Sequence, residues 1–200
     1  MAHGDHGHDH EHPHPHAHGD GGHHHHHPPA AVDATPRIHR AAAPRFVRVG
    51  VITASDTRDE STDTSGRYLR DTLADRGQLV VHKGVVPDDP EQVRLAVAAA
   101  AAAGAEVVIV SGGTGISRRD TTFEAIDGLL ARRLPGFGEL FRLLSYQEIG
   151  SAAMLSRATA GVTADGLILF AIPGSTGACR TALEKLILPE LGHLVREVTK

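Results

Sequence analysis

The chain of 200 residues has a single cysteine, no tryptophan and few aromatic side chains. Because a disulfide needs two cysteines, no internal disulfide can form, which fits a reducing cytosol. No apolar run approaches the roughly 18 residues of a membrane-spanning helix, and the N-terminus lacks the apolar core of a secretory signal. We therefore expect an intracellular, cytoplasmic protein without a membrane partner.

A strong charge of either sign is also missing. The formal net charge is −4, from 20 basic and 24 acidic residues. Residues 1–43 carry five acids and two arginines, and the rest of the chain is close to balanced. Since nucleic acids and anionic lipids attract basic surfaces, we expect neither as a partner.

Histidine is concentrated at the N-terminus, where residues 1–43 hold 14 of the 16 histidines and almost no large apolar side chains. Such a segment cannot bury enough surface to offset its ordering entropy, so we predict a disordered tail over 1–43 and one domain over 44–200. Five consecutive histidines resemble a purification tag, whereas the His-Gly, His-Asp and His-Pro alternation before them favours a native tail that binds Ni²⁺, Zn²⁺ or Cu²⁺. The candidate ligands in the tail are His14, His16, His18, His23, His24, His25, His26 and His27.

A β-branched run at residues 107–110 predicts a buried strand, and a glycine-rich turn, Ser111-Gly112-Gly113-Thr114-Gly115, follows it directly. A helix-like segment begins soon afterwards, at Thr121. A strand, a glycine turn and a helix N-terminus together present backbone N–H groups to a phosphate. The alternative is a tight strand–helix connection without a ligand. The spacing matches neither the dinucleotide fingerprint nor the Walker A loop.

Strand-like runs alternate with helix-like segments through the rest of the domain, which predicts an α/β protein. We expect a three-layer α/β/α fold with a mostly parallel sheet covered on both faces. The predicted strands are residues 48–53, 78–86, 107–110 and 166–172, and the later predicted helices are 123–132, 138–148 and 178–198, the last broken or kinked at Pro189.

The loops that follow these strands carry most of the candidate chemistry. The carboxyl ends of parallel strands share one edge of a sheet, where ligands bind. Asp88 and Asp120 lie in two of these loops and are candidate Mg²⁺ ligands beside the phosphate turn. Their alternative role is that of helix N-caps, although Asp89 already takes the cap position before Pro90. Asp63 is interpreted in the same way, as the N-cap of the first helix.

One cysteine and two arginines are further candidates for a role at the site. Cys179 has no histidine or cysteine nearby in the sequence and is interpreted as a buried apolar residue rather than a nucleophile. Arg142 and Arg157 either stabilise an anion or lie on a solvated face, and the sequence leaves both options open.

Several ordered motifs resemble the MoaB/MogA family of molybdenum cofactor biosynthesis proteins over about residues 45–194. They include Val86-Pro87-Asp88, the glycine turn, Arg119-Asp120 and Pro173-Gly174-Ser175, while Phe141-Arg142-Leu143-Leu144-Ser145 points to the MoaB branch. The resemblance implies a molybdopterin-binding α/β/α fold that forms a homo-oligomer, either a hexamer or a trimer.

The resemblance also implies an enzyme, molybdopterin adenylyltransferase. It would convert Mg²⁺-ATP and molybdopterin to adenylyl-molybdopterin and pyrophosphate, before a molybdenum insertase partner acts. The family's two essential aspartates match Asp88 and Asp120, which would hold Mg²⁺ through the substrate phosphates. Substrate and nucleotide contacts are expected at Ser55, Asp56, Asp63, Ser65, Gly66, Ser111, Gly112, Gly113, Thr114, Gly115, Ser145, Pro173, Gly174 and Ser175.

One position departs from the family pattern, because Phe123 stands where the family often has a proline. A proline suits the first helical turn, so its loss is expected to loosen the start of that helix. Two other functions stay open: a non-catalytic molybdopterin-binding or scaffold protein, and a metal-storage arm formed by the tail. Pyrophosphate release distinguishes the enzyme from both.

Overall fold

The computed structural model describes residues 46–200, so the predicted tail over 1–43 and its candidate metal-binding histidines lie outside the described residues. Between residues 46 and 200, no helix combines the length and apolar character needed to cross a membrane. A six-stranded mixed sheet carries helices on both faces. The predicted α/β fold with three layers is confirmed.

The sheet has a parallel part and a short antiparallel edge. In spatial order it runs β2-β1-β3-β6-β5-β4, with β1, β2, β3 and β6 parallel. The antiparallel strands β5 and β4 were not predicted, because they are only four and two residues long. The strands are β1 Arg48–Ala54, β2 Leu79–Val86, β3 Val107–Ser111, β4 Arg132–Arg133, β5 Thr159–Val162 and β6 Ile168–Ile172.

The helices differ from the predicted ones mainly at their ends. They are α1 Thr64–Asp75, α2 Pro90–Ala102, α3 Thr122–Asp127, α4 Pro135–Ile149, α5 Thr176–Ala182 and α6 Leu188–Val198. The prediction of a helix over 123–132 was wrong beyond Asp127, because the Ala131 N–H instead donates to Val162 of β5. A π-helical segment, Leu183–Ile187, joins α5 to α6 just before Pro189, whose missing N–H prevents a regular α-helical bond there.

Two apolar clusters pack on opposite faces of the sheet. Within β3, Val107 and Ile109 belong to the cluster beneath α1, α4, α5 and α6, whereas Val108 and Val110 belong to the cluster beneath α2 and α3. This alternation follows from the two-residue period of a strand. Both faces are buried, which explains why the strand is apolar throughout.

The four parallel strands end at one edge of the sheet, where their loops meet. The Ser55 N–H donates to Val86 O at 2.8 Å, and the Gly112 N–H donates to Ile172 O at 3.0 Å. These bonds join the loop after β1 to the end of β2 and the loop after β3 to the end of β6. The predicted convergence of strand-end loops is therefore present.

Candidate active site

A cleft of about 480 Å³ opens at this edge of the sheet. All four strand-end loops contribute to its walls, so the cleft is assembled from segments far apart in sequence. Of the predicted site residues, the lining contains Ser55, Asp56, Asp88, Gly112, Gly113, Thr114, Gly115, Asp120, Pro173, Gly174 and Ser175.

The remaining predicted residues lie behind the cleft or away from it. Asp63 is fully buried and accepts hydrogen bonds from Gly66 N at 2.8 Å and Thr53 Oγ1 at 3.0 Å, so it is the predicted N-cap of α1. Ser111 is buried at the end of β3, where its hydroxyl lies 3.4 Å from Ile52 O. The structure does not bring Asp63, Ser65, Gly66, Ser111 or Ser145 to the cleft surface.

Two consecutive glycines allow the turn after β3 to pass close to its neighbours. Gly112 has φ +100°, and a Cβ there would lie 2.1 Å from Ala54 O. Gly113 has φ +58°, and a Cβ there would lie 2.3 Å from Asp88 Oδ2. Both positions therefore require glycine, for conformation and for space.

The turn offers three backbone N–H groups to a ligand. Because the Gly112 N–H already donates to Ile172 O, that group is not available to a phosphate, contrary to the sequence-based expectation. Within residues 46–200, no acceptor is bonded to the N–H groups of Gly113, Thr114 or Gly115. These three N–H groups are the part of the turn that remains for an anion.

Asp88 faces this turn, and its carboxylate is fixed by the start of α3. Its Oδ1 accepts hydrogen bonds from Thr121 N at 3.2 Å and from Thr122 Oγ1 at 3.0 Å. The cap of α2 is Asp89, which accepts from Glu91 N and Gln92 N. Asp88 is therefore not the N-cap of α2. No residue in the described part of the chain donates to its Oδ2.

Asp120 also lines the cleft without capping α3. Its Oδ2 accepts from Ser117 N at 2.8 Å, and the N-cap position of α3 is Thr121, whose side chain makes no capping bond. Among the residues described, no group of three histidine, cysteine or acidic side chains could hold a metal by itself. Mg²⁺ commonly takes one or two carboxylates together with substrate phosphates, and the carboxylate oxygens of Asp88 and Asp120 fit that arrangement.

Two arginines in the cleft wall were not predicted. Arg58 donates from Nη1 to Ser65 Oγ at 2.7 Å and to Gly174 O at 3.1 Å, which fixes its guanidinium between two loops. Arg119 is exposed at the cleft rim. Both lie in strand-end loops that the sequence predicted to form the site, so their position in those loops is the signal that marks them as anion-binding candidates.

Cys179 is buried beneath the loop after β6, with no exposed surface. Burial raises the pKa of its thiol to about 12, so it stays protonated at neutral pH. Its sulfur donates weakly to Pro173 O at 3.5 Å. Cys179 is a core residue and not a nucleophile, as predicted.

Comparison with known proteins gives consistent matches. Residues 50–193 match the family described as "Probable molybdopterin binding domain". Molybdenum cofactor biosynthesis protein B of Halalkalibacterium halodurans is 48% identical over 165 residues, which cover 81% of this chain and 96% of that protein. The Bacillus subtilis protein of the same name is 47% identical over 164 residues, with the same two coverages.

Solved structures agree in fold as well as in sequence. A crystal structure of molybdenum cofactor biosynthesis protein B is 48% identical, with a TM-score of 0.75 over 78% of this chain and 98% of that chain. The tungsten cofactor synthesizing protein MoaB from Pyrococcus furiosus is 39% identical, with a TM-score of 0.72 over 79% of this chain and 100% of that chain. With nearly the full length of these relatives matched, this chain belongs to the molybdenum cofactor biosynthesis protein B family.

Proposed function

We propose that this protein acts in molybdenum cofactor biosynthesis as a molybdopterin adenylyltransferase that uses Mg²⁺-ATP. The observation that carries the proposal is the meeting of Asp88, Asp120 and three available N–H groups in one cleft. Carboxylates beside a phosphate-binding turn would repel the ligand unless a cation lies between them. The description of the matching family, a probable molybdopterin binding domain, supports molybdopterin as one of the two substrates.

Each group in the cleft has a task in this proposal. The N–H groups of Gly113, Thr114 and Gly115 bind and orient phosphate oxygens, and Arg58 and Arg119 bind further negative charge. Mg²⁺, held by Asp88 and Asp120 together with the phosphates, would supply charge neutralisation at the reacting phosphoryl group.

The proposed reaction is a direct transfer. A terminal phosphate oxygen of molybdopterin forms a bond to the α-phosphorus of ATP, and the bond from that phosphorus to the α,β-bridging oxygen breaks. Adenylyl-molybdopterin and pyrophosphate result. The chain's residues orient the two phosphates for this step. No covalent enzyme intermediate is needed, and the protonated, buried Cys179 agrees with that.

The protein is further proposed to work in the cytoplasm as a homo-oligomer, a hexamer or a trimer, which passes its product to an insertase. Four large apolar side chains of α4 are more than half exposed in the single chain, and this supports burial of α4 between copies. They are Leu140, Leu143, Tyr146 and Ile149.

The proposal is tested by pyrophosphate release from Mg²⁺-ATP and molybdopterin. We expect Asp88→Asn and Asp120→Asn each to lower the rate at least about a hundredfold, because each removes charge at the reacting phosphates. Asp89→Asn is the matched control: it removes the neighbouring charge, yet asparagine caps a helix as well as aspartate does. Its rate should stay close to that of the wild type.

The opposite result is also informative. A wild-type protein that binds molybdopterin and releases no pyrophosphate would contradict the adenylyltransferase and would favour a non-catalytic binding or scaffold protein. Equal losses in all three variants would instead assign the effect to general charge or stability, and not to the two aspartates that line the cleft.

A further inference from the structure

Arg157 holds the loop after β3 from the side opposite the cleft. It lies between the 3₁₀ segment Gly150–Leu155 and β5, more than 35 residues from the loop in sequence. Its guanidinium donates from Nε to Thr114 O at 3.1 Å, and from Nη2 to Gly115 O at 2.5 Å and Asp120 O at 3.1 Å. Those three residues line the cleft, whereas Arg157 lines a separate cavity together with Phe123, so the arginine contacts the loop from outside the cleft.

The guanidinium is itself held by α3. Its Nη1 forms an ion pair with Glu124, and its carbon lies 5.0 Å from the centre of the Phe123 ring. Four of the five guanidinium N–H donors are thus directed at protein acceptors. Of the two arginines left open by the sequence, Arg157 thus directs most of its donors at the loop and at Glu124.

The contacts to the carbonyl groups also set where the loop's N–H groups point. In a trans peptide, the N–H of one residue points opposite to the C=O of the residue before it. With Thr114 O turned to Arg157, the Gly115 N–H points away from the arginine. In the same way, Asp120 O is turned to Arg157, so the Thr121 N–H points away from the arginine. That N–H donates to Asp88 Oδ1 at 3.2 Å.

We propose that Arg157 is a positioning residue that clasps residues 114–120, so that Asp120 and the Gly115 N–H keep their places in the cleft. Phe123 completes the clasp, since its ring stacks on the guanidinium and a proline there would offer no aromatic face. The positioning of the loop by Arg157 is inferred from contacts alone, whereas its effect on catalysis rests on the proposed function.

The clasp is tested by trypsin cleavage of the full-length chain after Arg118 and Arg119, which are exposed within the loop. We expect Arg157→Gln to speed this cleavage about tenfold, because cleavage follows the population of the opened loop. Arg157→Lys should behave similarly, since a compact ammonium cannot reach three separated carbonyls. Arg133→Gln is the control: it removes an exposed ion pair with Asp127 and no loop contact.

Thermal unfolding of each variant shows whether it is folded at the assay temperature. Phe123→Leu is a milder variant, for which we expect a smaller increase in the rate of cleavage than for Arg157→Gln. Unchanged cleavage in Arg157→Gln, or in Phe123→Leu if the first variant does not fold, would overturn the clasp. In active protein, Arg157→Gln should raise the KM for Mg²⁺-ATP as well as lower kcat. Faster loop cleavage in a protein whose wild type releases no pyrophosphate would keep the clasp and reject the proposed function.

Discussion

Two neighbouring aspartates after β2 have different roles. Asp89 caps α2, and this leaves the carboxylate of Asp88 to reach across to the start of α3 and to line the cleft. The sequence allowed this division to be predicted, because Pro90 fixes where the helix begins. The role of Arg157 could not be predicted, since its partners lie 33 to 43 residues away and only the fold brings them together.

Cys179 provides a prediction at the same scale. Its thiol is buried and has a pKa of about 12, so we expect no reaction with iodoacetamide at pH 8 in the native protein. Full alkylation should follow unfolding in urea, as measured by the mass of the intact chain. Cys179→Ala should retain pyrophosphate release. Rapid alkylation of the native protein, together with loss of activity, would contradict the assignment of Cys179 to the core.

At the scale of elements, local sequence accounts for the parallel strands and much less well for the antiparallel edge. The apolar run of β3 is buried on both faces and is recognisable by itself. Strand β4 consists of Arg132 and Arg133, and it exists because it pairs with Val162 and Gly161 of β5. Such a short strand has no pattern of its own, so pairing partners and not propensity determine it.

The turn after β3 gives a prediction at this scale. Gly113→Ala places a methyl group 2.3 Å from Asp88 Oδ2 in a backbone with φ +58°. We expect a loss of about 1–2 kcal/mol in the free energy of unfolding and a much larger relative loss of pyrophosphate release, because the Asp88 carboxylate must move. Urea unfolding and the rate assay measure the two effects.

Gly177→Ala is the control for that substitution. Apart from its chain neighbours and the backbone of its own helix, no atom of the described residues lies within 4 Å of a Cβ at Gly177, and the residue is in the first turn of α5. Its stability and its activity should both match the wild type or exceed it slightly. Full activity in Gly113→Ala would mean that the placement of Asp88 by the turn is not needed for the reaction.

At the scale of the whole molecule, the site depends on the order of the strands. Four loops from β1, β2, β3 and β6 meet because their strands are parallel, so a site made of distant segments was predictable before any side chain was located. Which residues reach the cleft surface was less predictable: Asp63 caps α1 and Ser65 lies in its first turn, and both are buried behind the cleft wall.

The N-terminal tail gives the prediction that concerns the whole chain. We expect removal of residues 1–43 to abolish tight binding of Ni²⁺ or Zn²⁺, because 14 of the 16 histidines are lost with it. Pyrophosphate release should be unchanged, since every residue of the cleft is retained. Calorimetric titration with each metal and the rate assay check both parts. Loss of pyrophosphate release in the shortened chain would show that the tail is needed for the reaction.

The most direct measurement follows the α-phosphate. ATP labelled at that phosphorus is incubated with Mg²⁺, molybdopterin and either wild type, Asp88→Asn or Asp120→Asn, and the products are separated. The account predicts labelled adenylyl-molybdopterin with the wild type and almost none with either variant. Label that remains in ATP, or that appears in ADP or AMP with no labelled molybdopterin, would contradict the adenylyl transfer assigned to this cleft.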